Sequence, residues 1–387
     1  MRAWMPAICL ALLLVGLAPA QDSLNVSHVG GCVIGPLTVH AVGVVVNGDY
    51  AYVACWVEPP DTVRGLHVIS VADPTQPVEV GYCLTPGQAR GVAVAGDYAY
   101  VADYDSGLSV ISIADPLHPV EIGHVDLRGR SLGVAVAGGY AYVVDNDSGG
   151  LHVISIADPA HPAPVGYCAS PATAAGVAVR GTYAYVAGSG LSVISVADPA
   201  HPVEVGNCQT CTPGGVAVSG YYAYTTALLN VTRVADPAHP VEVWSTGGDG
   251  WGVAVASDRA YVAADMSGLR VYTLADPGSP AWIGYYRLPG NPACGVTVAG
   301  DYVYVAYDRG GLQIFQYYGP GVEESPRPQA TSHKFPATVV RSLPQGAVAF
   351  DAMGRRVANP RSGIFFVRER STVGGERSAV TKVIVSR

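Results

Sequence analysis

Charge is scarce in this chain: only 13% of its 387 residues are Asp, Glu, Lys or Arg. Nowhere do Lys and Arg gather into a run with aromatics between them, which excludes nucleic-acid binding of the usual basic kind. Long apolar stretches are missing beyond the N-terminus, so no later segment can span a bilayer as a helix. The common catalytic signatures are missing too: G-x-S-x-G, H-E-x-x-H and the P-loop do not occur. No pair of carboxylates is singled out by its spacing for glycoside cleavage.

What the chain does have is Gly (47) and Pro (29) in a composition that is 49% hydrophobic. That combination describes many short apolar strands between tight turns, not disorder. The formal charge is −8, yet from Phe335 onward nine Lys/Arg face three Asp/Glu, so the tail is basic. The opening "MRAWMPAICLALLLVGLAPAQD" has a positive start at Arg2, an apolar core over 8–17 and an A-x-A site at Ala18–Ala20. It is expected to be a secretory signal peptide covering residues 1–20. Export permits disulfides. Seven of the eight Cys follow Ala20, an odd number, so at least one is free or pairs outside the chain.

Internal repetition dominates the rest. "Tyr-Ala-Tyr-Val" or a relative recurs with its second aromatic at Tyr52, Tyr100, Tyr142, Tyr185, Tyr224, Tyr261 and Tyr304, at spacings of 37 to 48 residues. A "GVAV"-like run precedes each, opened by Gly43, Gly91, Gly133, Gly176, Gly215, Gly252 and Gly295. Runs such as "LSVISIA" and "PVEIGHV" complete a unit of four short strands, and the middle two are apolar on both faces. Four strands per unit of about 40 residues describe a β-propeller blade. The last unit ends at "GLQIFQYYG" without a fourth strand, and "NVSHVGGC" (25–32) is an unmatched one. The expectation is an all-β, seven-bladed propeller over 24–319, closed by that N-terminal strand, which removes two sheet edges.

Repeats such as "GLSVISIADPLHPVEIG" and "GLHVISIADPAHPAPVG" resemble the LVIVD-type β-propeller repeats of bacterial and archaeal exported proteins. The resemblance implies a propeller at or beyond the cell surface and no defined activity. After a Pro-rich linker (320–334), residues 335–387 alternate apolar and polar positions through three expected strands. Their elements "FDAMGRRV", "SGIFFVRE" and "TKVIVSR" resemble the C-terminal sorting domains of type IX secretion substrates, which implies engagement with secretion machinery.

The most conspicuous candidate chemistry is "ADPAHPVEV", an acid, an imidazole and a second acid in one span. Six copies exist. The Asp (73, 115, 158, 198, 236 and 276) and both Pro never change, whereas the His place also holds Gln76 and Ser279 and the Glu place Pro164 and Trp282. The invariant part has a turn mechanism: Asp accepts backbone N–H groups just ahead, and Pro presets φ. Blade rims lie more than ~10 Å apart, so these copies cannot share a metal with ligands at about 2 Å. The motif is expected to be a corner.

The turns "DYDSG", "DNDSGG", "ADMSG" and "YDRGG" could hold calcium through oxygen ligands, yet they lack a distal Glu and read first as solvated hairpins. No cofactor is otherwise called for. Cys208 and Cys211 form a lone C-x-x-C, open to a local disulfide and lacking partners for zinc. A better pointer is the residue before each inner-strand glycine, which differs in every blade: Val42, Arg90, Leu132, Ala175, Gly214, Trp251 and Cys294. Arg and Trp are enriched in binding hot spots. Arg90 and Trp251 are expected at the channel mouth, with Asp103, Asp105, Asp145, Asp147, Asp265 and Asp308. The leading expectation is a secreted or surface-displayed, monomeric, non-enzymatic propeller binding an extracellular protein or glycan. A hydrolase or lyase with its site at the channel mouth is the alternative, and a purely structural envelope component the third.

Overall fold

The computed structural model describes residues 23–319, apart from short stretches at 36–37, 59–63, 128, 148–149, 170–172 and 210–213, and strand segments between 338 and 385. The expected signal peptide (1–20), the linker (320–334) and Cys211 lie outside the described residues. The chain divides into two compact units, Met1–Val322 and Glu323–Arg387.

The first unit is a ring of seven antiparallel sheets. Blade one runs outward through Val39–Asn47, Tyr50–Val57, Gly65–Ser70 and Val78–Leu84. Blades two to six repeat this order, their innermost strands starting at Gly91, Ser131, Gly176, Val216 and Gly252. Blade seven has Gly295–Ala299, Tyr302–Ala306 and Leu312–Tyr317, and its outermost strand is Val26–Cys32 from the chain's other end. The ring closes as the repeat count requires. One element exceeds the expectation: Ser23–Leu24 pairs with Ala281–Tyr286 and gives blade six a fifth strand.

The periodicity of apolar residues explains where the core lies. Among the described residues the buried hydrophobics form seven clusters, each joining two neighbouring blades. Between blades one and two, for example, Tyr52, Leu66 and Val68 pack on Ala99, Val101 and Ile111. Burying one such Val, Leu or Ile contributes about 1.5–3 kcal/mol. The repeated Tyr of each second strand sits in these seams, at most 6% exposed, and burial raises its phenol pKa in every blade.

Around the axis the seven inner-strand glycines form a closed ring. A Cβ on each would stand 2.4–2.9 Å from the carbonyl oxygen of the next blade's pre-glycine residue, the last returning from Gly295 to Val42. Real side chains cannot approach backbone so closely, and that contact is why the repeat keeps Gly there.

The Asp-Pro corner makes a second ring at the rim. Each Asp accepts the N–H two residues on, as in Thr75 to Asp73 at 3.0 Å and Ala200 to Asp198 at 3.1 Å. The backbone N–H three residues on bonds the Asp carbonyl instead. In five of the six turns the Pro carbonyl covers a glycine in the preceding blade's outermost strand: Pro116 over Gly81, Pro159 over Gly123, Pro199 over Gly166, Pro237 over Gly206 and Pro74 over Gly30, whereas blade five carries Trp244 at that place. Blade seven has no Asp-Pro turn. Its place against Gly284 is taken by the carbonyl of Leu24, from the extra N-terminal strand.

In the second unit, Thr338–Val340, Val348–Phe350, Arg356–Val357, Gly363–Arg368 and Val380–Val385 form one sheet. The strand expected around 350–357 is a pair of short antiparallel strands, and Thr338–Val340 adds a fifth that runs parallel to Val380–Val385.

Candidate functional site

The backbone positions the pre-glycine residues by hydrogen bonding them to the adjoining second strand. Arg90, Ala175, Trp251 and Cys294 donate their N–H to Ala102, Ala187, Ala263 and Ala306, at 2.8–2.9 Å. All seven pre-glycine residues then face one cavity of about 370 Å³ on the axis, together with Trp56, Gly215, Asp265, Pro292 and Asp308. Their variety is therefore the chemistry of a single site.

The Asp residues expected beside them fall into two registers. Asp265 (φ 48°) and Asp308 (φ 38°) occupy a left-handed turn position, which Asp tolerates better than most residues. Their backbones bridge to the segment entering the next blade, Asp265 to Ala293 just before Gly295–Ala299 and Asp308 to Ala41 within Val39–Asn47. That pairing sets them beside Cys294 and Val42, on the cavity. In blade two the same position is Tyr104 (φ 51°), bridged to Ser131.

Asp103 lies one residue earlier and turns inward, fully buried, accepting Thr85 Oγ1–H at 2.7 Å and Gly87 N–H at 2.6 Å. Burial outweighs those bonds and pushes its carboxyl up to about 6. Asp145 is also fully buried and meets His152 Nε2 at 3.0 Å within blade three. Asp103 and Asp145 therefore stand away from the cavity, while Asp105 and Asp147 are exposed, the latter 3.3 Å from Arg130 Nε. Among the described residues, no three His, Cys, Asp or Glu side chains come together as a metal ion would require.

Trp251 is 59% exposed, and its indole N–H reaches Asp265 at 3.3 Å. A column of stacked aromatic rings and guanidinium groups, which composition could not reveal, runs from His40 to Arg130. His40 stacks on Trp56 (4.1 Å, 11°), the Arg90 guanidinium lies 4.5 Å over Trp56 and 5.0 Å from Tyr104, and Arg130 caps Tyr104 at 5.5 Å. Such contacts contribute about 0.5–2 kcal/mol each and hold the guanidinium in place. Arg90 also donates to Gln88 at 2.8 Å, and desolvation lowers its pKa. His40 Nδ1 pairs with Asp308, and its Nε2 lies 3.4 Å from Glu58, which Arg309 also contacts at 3.1 Å. Burial, with the neighbouring Asp308 carboxylate, pushes the Cys294 thiol up to about 12, so it is a neutral wall group. The signal that could have exposed Trp56, His40 and Glu58 is blade one's longer first hairpin, Val39–Val57, which carries them beyond the repeat's usual strand ends.

The other motifs stay apart. His118, His161, His201 and His239 each pair with their own turn Asp at 2.9 Å and are 79–84% exposed. Cys32, Cys83 and Cys168 face Leu312, Leu66 and Leu151 in three different blades.

Fold and cavity together define a seven-bladed β-propeller with a mixed aromatic and charged axial pocket. An LVIVD repeat model matches residues 40–85, 86–127, 128–170, 171–210, 214–246, 247–287 and 290–315, and the chain belongs to the LVIVD repeat family. No curated protein matches the chain. Among solved structures it is similar to the WD40 β-propeller domain of Doa1 (10% identity, TM-score 0.58, 76% of this chain and 97% of that one). It is likewise similar to the computationally designed Ika8 protein (7%, 0.53, 76% and 100%) and to BamB from Moraxella catarrhalis (12%, 0.50, 76% and 98%). At these identities the likeness concerns the fold alone.

Proposed function

We propose that this protein is an exported, non-enzymatic binding propeller that takes part of a glycan or protein ligand into its axial cavity. The observation that carries the reading is the convergence of seven dissimilar pre-glycine residues on one cavity. Structural duty alone would allow one small residue to recur there, because each backbone carbonyl meets the preceding blade's inner glycine in the same way. Trp251 and Trp56 supply apolar ring faces, Arg90 a pre-oriented cation and Asp265 and Asp308 acceptors, the mixture typical of ligand pockets. In this reading residues 1–20 direct export, and the C-terminal unit, a small β-sheet with a basic sequence, serves as a sorting module.

The test is a binding screen of the mature chain against an oligosaccharide array and purified surface proteins. A specific ligand whose affinity drops at least tenfold in both Arg90→Ala and Trp251→Ala supports the reading, and no binding across the screen removes it. Sequencing the C-terminus of the exported protein tests the sorting module, which predicts loss of residues beyond about 330.

One observation favours a second reading. Asp265 and Asp308 come from different blades and line the same cavity with Arg90 and Trp251, an arrangement that a hydrolase or lyase acting on extracellular polymers would need. Product release from such polymers, abolished by both Asp265→Asn and Asp308→Asn, would transfer the assignment to an enzyme.

A further inference from the structure

Blade six departs from its repeat away from the axis as well. In blade one, His67 and Glu79 face across the third and fourth strands, paired at 2.8 Å. The corresponding residues of blade six are Arg270 and Trp282, as the registers Arg270–Tyr285 and Tyr272–Trp282 match His67–Tyr82 and Ile69–Glu79. A hydrogen-bonded His–Glu pair has become a cation over an aromatic ring, with the guanidinium 5.5 Å from the indole centroid.

Around it lies a cavity of about 450 Å³ lined by Met266, Ser267, Arg270, Trp282, Tyr285 and Arg287. The lining holds two guanidiniums and no carboxylate. Neither Arg270 nor Arg287 forms an ion pair among the described residues, whereas Arg130, Arg259 and Arg309 do. Arg270 Nε is buried without a hydrogen-bond partner. Trp282 is 51% exposed and Met266 48%, and the indole is fixed by donating to Gly284 O at 3.0 Å and by Tyr285 at 5.4 Å. Arg270 gains the Trp282 ring face and the Tyr272 hydroxyl, but no carboxylate balances its charge or that of Arg287.

We infer that this blade-six cavity is a second binding site, distinct from the axial one, for an acidic saccharide bearing carboxylate or sulfate groups. The guanidinium forks take the anion in bidentate fashion. The Trp282 and Tyr285 rings take the apolar face of the sugar ring, and the volume lies within the 300–1,000 Å³ range of small-ligand sites.

The experiment titrates the full chain with oligogalacturonate, with a sulfated galactan oligosaccharide and with an uncharged galactan of equal length, by calorimetry at low and moderate salt. At least one anionic probe should bind tenfold or more tightly than the neutral one, and weaken as salt rises. Arg287→Gln, at an exposed position, and Trp282→Leu should each weaken it at least fivefold with the thermal melt unchanged, while Trp251→Ala should leave it intact. The relative affinity of the two anionic probes identifies carboxylate or sulfate as the preferred group. Equal binding of the neutral oligosaccharide, indifference to Arg287→Gln and Trp282→Leu, or loss of binding in Trp251→Ala would each overturn the assignment. The last outcome would place the ligand in the axial cavity and leave the axial proposal standing.

Discussion

Replacing Asp103 by Asn should change how stability depends on pH in a direction opposite to that of most carboxylates. Asp103 is fully buried against Thr85 and Gly87, and its carboxyl is raised from 3.8 to about 6, chiefly by burial. A folded-state pKa above the unfolded one means that folding favours the protonated form. The stability that Asp103 contributes is complete below about pH 4 and is lost as pH rises through 6. The shift of about 2 units corresponds to about 3 kcal/mol between those limits. The Thr85 hydroxyl and the Gly87 N–H both favour the ionised form, so they reduce this loss but do not cancel it. Denaturant unfolding at pH 4 to 8, followed by Trp fluorescence, should show wild type losing about 3 kcal/mol relative to Asp103→Asn across that range. Asn forfeits one acceptor, so its curve is offset downward overall, but the slope difference isolates the titration. Thr85→Val should raise the Asp103 pKa further and extend the wild-type slope to higher pH. Parallel curves for wild type and Asp103→Asn would refute the reasoning.

Gly176→Ala should destabilise by about 1–3 kcal/mol as overpacking, because the new Cβ meets Gly214 O at 2.4 Å and Gly215 Cα at 3.0 Å. Gly181→Ala is the thermal-melt comparison for a site with open space but a positive φ of 60°. Deleting residues 21–32 should expose the edge of Leu312–Tyr317 and uncover Ile314 and Phe315, read as aggregation by light scattering and a broadened melt. His201→Gln should leave the melting temperature unchanged, since Gln76 serves at that place in blade one, whereas Asp198→Ala should lower it by removing the Ala200 N–H acceptor. At acid pH the turn aspartates act in the usual direction. His201 and the Ala200 N–H hold Asp198 below its ordinary pKa, so its contribution is lost as pH falls below about 4.

The ring architecture was readable because each blade repeats one local pattern of two-residue alternation, tight turns and a glycine before the inner strand. Counting Tyr anchors gave seven blades, and the missing fourth strand after Leu312–Tyr317 identified its replacement at Val26–Cys32. The pre-glycine positions were readable for the same reason: where seven backbones do the same work, side-chain differences stand out.

The Asp registers were less legible. Asp103 and Asp265 both follow a second strand, yet one residue of offset in the turn sends the first into the blade and the second to the axis. The left-handed position is the same in both turns, Tyr104 and Asp265, and aligning "DYDSG" with "ADMSG" on Ser-Gly shows the offset, but only the structure shows that the earlier place points into the blade. Trp56 and His40 were missed because their partners, Arg90 and Asp308, come from the neighbouring blades. The extra strand Ser23–Leu24 was missed because two residues carry no periodicity. Its role, covering Gly284 where blade seven lacks an Asp-Pro turn, appears only once the ring is closed.

Local chemistry thus determined the blade, the number of blades and the corner that "ADPAHPVEV" builds, since each of these is satisfied within about forty contiguous residues. Tertiary structure alone decided which side chains join the pre-glycine residues on the axis and which Asp faces inward. It also set Arg270 and Trp282 beside Arg287 without a carboxylate. Those contacts join residues from different blades or strands, and their distances follow from ring closure and strand register, which hydropathy along the chain does not encode.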